Sequence, residues 1–94
     1  MEIIFDIVLT CDETNSVHAM LRKKYKRDVV PVPGMKIEDP AWEEGGREPS
    51  EITLNYESQY CHLRFESENF STVDQCEKVE QMYRSDGWKS PDEF

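Results

Sequence analysis

The sequence lacks the features that announce chemistry most directly. Its glycines, Gly34, Gly45, Gly46 and Gly87, are too far apart for a phosphate-binding loop, and none sits between a strand pattern and a helix start. Nucleotide binding by that mechanism is therefore excluded. There is no Cys-x-x-Cys or His-x-x-x-His pair. A zinc site would need Cys11, Cys61, Cys76, His18 and His62 to converge from distant segments, so neither a metal nor a cofactor is expected. The three cysteines form no paired framework and read as reduced thiols. No apolar run is long enough to cross a bilayer, and Met1-Glu2 leads into Ile3-Ile4-Phe5 without a basic leader. The expectation is a soluble, cytoplasmic chain with no membrane partner.

Bases are scarce as well. Eleven Lys and Arg face twenty Asp and Glu, a formal net charge of −9 that repels phosphate backbones and anionic headgroups, so nucleic acid is not an expected partner. Arg22, Lys23, Lys24, Lys26 and Arg27 hold five of the eleven bases within six positions. They read as a solvated helix end, where cations complement the helix dipole.

Ninety-four residues leave room for one core, and the reading is a single domain over 1–88 with a flexible C-terminal tail at 89–94. What is present is periodic. Residues 2–10 place Ile3, Phe5, Ile7 and Leu9 on one strand face and Ile4, Asp6, Val8 and Thr10 on the other, the pattern of a central strand. From Thr14 to Lys26 the spacing of Val17, Met20, Leu21 and Tyr25 predicts a helix, with Asn15 or Ser16 as cap. Val29 to Glu38, with Pro31, Pro33 and Gly34, reads as an edge strand with Met35 and Ile37 inward. Asp39 to Ser50 is one long acidic loop.

Glu51 to Glu66 reads as a hairpin, Ile52, Leu54 and Tyr56 alternating with polar residues on one arm and Cys61, Leu63 and Phe65 on the other. A two-residue turn at Ser58-Gln59 pairs Leu54 with Leu63; a four-residue loop keeps the same parity. Ser71-Thr72-Val73-Asp74 matches a helix start, and Val73, Cys76, Val79, Met82 and Tyr83 mark one face. Gly87 fits the left-handed position after that helix, with Trp88 folding back on its last turn. The expected fold class is α+β: a four-stranded, mainly antiparallel sheet with two helices packed on one face, in the order β-α-β-β-β-α. From residue 14 on, that order is similar to double-stranded-RNA-binding domains. The likeness is one of order alone, because Asp74, Gln75 and Glu77 stand where such domains present lysines.

No catalytic set is legible. Cys61 and His62 are strand neighbours that point to opposite faces and cannot pair with each other, Cys11 ends the first strand as the one thiol expected to meet solvent, and a lone His18 reads as structural. The functional expectation is a non-enzymatic protein-binding or regulatory module that docks on a basic partner surface through Glu38, Asp39, Glu43, Glu44 and Glu48. Trp42, the one large aromatic of that loop, either caps the sheet or anchors the partner. Two alternatives stand beside it. Asn55, Tyr60, His62 and Arg64, on the outward face of the hairpin, form a small-ligand site or weak enzyme, or the chain is a homodimer built on an exposed sheet edge.

Overall fold

The first strand organises the molecule. β1 (Glu2–Cys11) buries Ile3, Phe5, Ile7, Leu9 and Cys11 on one face and lies at the centre of the sheet, as its pattern requires. The computed structural model, which describes residues 1–28 and 31–94, shows an α+β fold with a mixed five-stranded sheet and, among the described residues, one α-helix. β2 (Ser16–Lys26) runs antiparallel along one edge of β1. β3 (Glu51–Asn55) and β4 (Tyr60–Arg64) form the predicted hairpin, and β4 lies parallel to Glu2–Asp6 on the other edge of β1. β5 (Glu68–Phe70) continues along that edge parallel to Leu9–Cys11, so β4 and β5 are one interrupted line of pairing. α1 (Val73–Ser85) packs over β1, β2 and β5, and a 3-10 turn at Pro91–Glu93 follows.

The expected four-stranded sheet with two helices is corrected chiefly at residues 14–26, which form β2 rather than a helix. Val17 and Met20, which supplied the helical spacing, are 57% and 50% exposed, while the inward line is Ala19, Leu21, Lys23 and Tyr25. Lys23 hid the period of two by standing at an inward position, its charge met by Asp39 at 2.7 Å. Asn15, read as a cap, instead takes a positive φ of 48° in the tight connection between β1 and β2, a conformation that asparagine tolerates. His18 is the extra residue of a bulge in β2 and reaches Glu80 on α1 at 2.9 Å. With the first helix gone, the order shared with double-stranded-RNA-binding domains goes too.

The expected strand at 29–38 is not one across its described part. Val29 and Val30 lie outside the described residues; beyond them only Ile37 pairs, in an isolated bridge to Arg47, and Met35 is exposed. The hairpin keeps the predicted parity through its longer loop: Leu54 faces Cys61 and Ile52 faces Leu63, with Tyr56–Gln59 in the turn. Cys11 is buried, contrary to expectation, because the parallel partner Phe70 and the first turn of α1 close over the end of β1.

α1 begins one residue later than its motif implied. Thr72 is the N-cap, its hydroxyl accepting from Gln75 N while the Gln75 side chain accepts from Thr72 N. The far end follows the expected geometry: Gly87 has φ +96°, Gly87 N donates to Arg84 O, and Trp88 N donates to Tyr83 O. Trp88 is fully buried, 5.3 Å from Tyr83 ring to ring, whereas Met82 points outward. Residues 89–94 then return to the outer edge of β2, where Lys89 and Arg22 exchange two backbone hydrogen bonds. Arg84 holds Glu93 beyond.

Candidate functional site

The acidic loop is fastened to the core at two points. Trp42 is 7% exposed, its ring centroid 4.6 Å from Phe65 and 5.7 Å from Trp88. Its Nε1 donates to the Tyr83 hydroxyl at 2.8 Å, and that hydroxyl in turn donates to Glu68. Burial, reinforced by Glu68, pushes the Tyr83 hydroxyl well above its ordinary range, so it stays a donor at every physiological pH. Arg47 completes the chain, reaching Glu68 at 2.7 Å and Glu43 at 3.3 Å.

The second fastening is Asp39. One carboxylate oxygen accepts from Lys23 Nζ, and the other from Trp88 Nε1 at 3.0 Å and Ala41 N at 2.9 Å. Burial works against the charge on Lys23, but the bond to Asp39 and its charge outweigh it and hold the ammonium protonated. Gly46 lets the loop close on itself: it has φ +68°, and a Cβ there would lie 2.4 Å from Ile37 O. Of the candidates in the acidic loop, Asp39 and Trp42 are therefore interior, where they shape the loop, while Glu38, Glu43, Glu44 and Glu48 project from its surface.

The opposite face of the sheet carries a second cluster. Because β1, β2 and β4 each alternate, Asp6, Arg22, His62 and Arg64 all point away from α1. Asp6 is 8% exposed and receives a two-pronged contact from Arg22, Nε to Oδ1 at 2.6 Å and Nη2 to Oδ2 at 2.8 Å, with His62 Nε2 2.5 Å from Oδ2. Burial raises the Asp6 carboxyl, but the bonds and charges of Arg22 and His62 prevail and hold it below its ordinary value. A depression of about 550 Å³ lies over the cluster, lined also by Val8, Met20, Arg64, Ser50 and Ser67.

Of the four residues expected on this face, His62 enters the cluster, and Arg64 lines the depression while facing Glu51 at 3.7 Å. Asn55 and Tyr60 stand apart, Asn55 occupied in accepting from Ser58 N in the hairpin turn. Asp6 and Arg22 were missed. The signal was there in Asp6, the one charge inside a strand apolar on both faces, since a carboxylate so placed requires a partner.

No group of three or more His, Cys, Asp or Glu among the described residues could hold a metal ion, and no helix among them is long and apolar enough to cross a membrane. Burial pushes the Cys61 and Cys76 thiols up, away from the reactive thiolate. Compared with protein-family models, curated proteins and solved structures, the chain matches none.

Proposed function

We propose that the protein is a non-enzymatic binding module that docks its acidic loop on a basic surface of another protein. The observation that carries this reading is the double fastening of the loop. Thirteen residues without regular structure, 38–50, are pinned to the core through Trp42 and Asp39, which leaves Glu38, Glu44 and Glu48 presented from a rigid base. A loop backbone already fastened loses little freedom on docking, and a field of one sign steers a basic partner toward it. Arg47, the one cation of the loop, is spent on Glu43 and Glu68. Among the described residues no ion pair within 4.0 Å neutralises Glu38, Glu44 or Glu48.

Co-purification of the tagged chain from its native cells, at low and then at physiological salt, tests this. A partner should be retained at low salt and released as ionic strength rises, and the triple change Glu38→Lys, Glu44→Lys, Glu48→Lys should abolish retention without altering the fold. Retention that ignores both salt and the triple change would refute the docking surface.

A second reading rests on the Asp6 cluster. A small ligand would lay an apolar part on Val8 and Met20 and a polar group against His62 and Arg64 in the depression. Chemical-shift changes confined to these residues on titration with small carboxylic acids would support it; a flat response across them would remove it.

A further inference from the structure

Among the described residues, the edge of the sheet at β3 has no partner along its whole length. β2 is covered at its middle by Lys89 and β1 is paired on both sides, but β3 pairs only with β4. Among the described residues, no backbone hydrogen bond from another segment reaches Glu51–Asn55 from outside. The core layer also stops short at this strand. α1 lies over β1, β2 and β5 and not over β3, so Ile52 and Leu54 remain half-buried although they point to the core side. An unpaired edge flanked by partly bare apolar side chains is a template for a further strand.

We infer that the occupant of this edge is a second copy of the chain, joined β3 to β3 about a two-fold axis through Thr53. The argument is the self-complementarity of the strand. In an isologous antiparallel pair, residues facing each other share a sheet face, so the axis must pass through a residue rather than between two. Centred on Thr53, the whole strand is used: Ile52 faces the second copy's Leu54, Glu51 faces its Asn55, and Thr53 faces its own counterpart. Apolar meets apolar on the core side, a Thr-Thr pair sits on the open side, and no like charges are opposed. Centring on Ile52 or Leu54 leaves part of the strand unpaired. The joined sheet runs through both copies, and each Ile52 and Leu54 gains the cover that α1 does not give.

This inference does not depend on the acidic loop, and salt separates the two. Each copy carries −9, so screening their repulsion tightens an edge-paired dimer, whereas the same salt loosens docking of acidic loop on basic partner. Sedimentation equilibrium over about 1 to 500 µM protein reads the assembly directly. The expected species at the upper end has twice the monomer mass of 11.1 kDa and strengthens with salt. Thr53→Lys, at an exposed position, places two ammonium groups face to face on the axis and should weaken the dimer at least tenfold while circular dichroism stays unchanged. Asn55→Asp keeps the oxygen that accepts from Ser58 N but sets a carboxylate against Glu51 of the other copy at two places, and should weaken it several-fold. A monomer across the whole range, a dimer that loosens with salt, or one indifferent to both substitutions would each overturn the assignment.

Discussion

Asp39 and Asp6 are almost equally hidden, at 7% and 8% exposure, yet they sit on opposite sides of the sheet and do different work. Asp39 lies under the loop among aromatic rings, and its donors are an inward lysine, an indole and a backbone amide, all of which close the core. Asp6 lies on the uncovered side, held by Arg22 and His62 in the lining of a depression that solvent reaches. The contrast separates a carboxylate that builds the structure from one that gives character to a surface. Burial alone does not tell them apart; what stands above the carboxylate does.

The contrast is broken most severely at Asp39. Asp39→Ala leaves the half-buried Lys23 without its counter-charge and the buried Trp88 indole without an acceptor, and should cost about 3–5 kcal/mol, read as a lowered urea midpoint. A cost under about 1 kcal/mol would put Asp39 in the same class as a surface acid. Next come two strand neighbours. Leu63 is fully buried on the core side and His62 faces the depression, so Leu63→Ala should cost about 2–5 kcal/mol and His62→Ala much less. Equal losses would mean that the open face is as tightly organised as the core.

Acid sharpens the comparison from the other side. The folded-state pKa of Asp6 is depressed below 3.8, so its contribution is complete above that value and is lost as pH falls through the lower, folded one. Asp6→Asn should therefore be less stable than the wild type at neutral pH, with the difference shrinking toward nothing at strongly acid pH. A difference that does not vary with pH would show that the variant loses packing rather than charge. The smallest effect is expected at Gly87, whose positive φ sets Trp88 against Asp39. Gly87→Ala should cost about 1–2 kcal/mol, and a calorimetric scan that shows no loss would mean the left-handed turn is not required.

The local elements were legible in the chain because their information is local. The alternation of Ile52, Leu54, Cys61 and Leu63 specified a hairpin and its parity, the apolar positions of residues 73–83 specified a helix, and Gly87-Trp88 specified how that helix ends. β1 was readable as central because both its faces are largely apolar. Residues 16–26 were not readable. Their period of two depends on Lys23 being acceptable inside, and that depends on Asp39, sixteen residues away and brought close only by the fold. The same holds for Trp42, whose two readings the sequence left open until Phe65, Tyr83 and Trp88 surrounded it.

The candidate surfaces divide in the same way. That a loop between Glu38 and Ser50 is acidic and carries one tryptophan follows from composition; that its carboxylates stand on a fixed base follows from hydrogen bonds to residues of β2, β5 and α1 and to Trp88. His62 could be placed outward from alternation alone, but its meeting with Asp6 and Arg22 needed parallel pairing of β1 with β4, a contact between segments 56 residues apart. By itself the sequence determined the elements whose partners lie within a few residues, because turns, caps and periodicity act at that range. Only the tertiary structure decided where buried charges find counter-charges, since a lone lysine or aspartate is tolerable inside only once its distant partner has arrived.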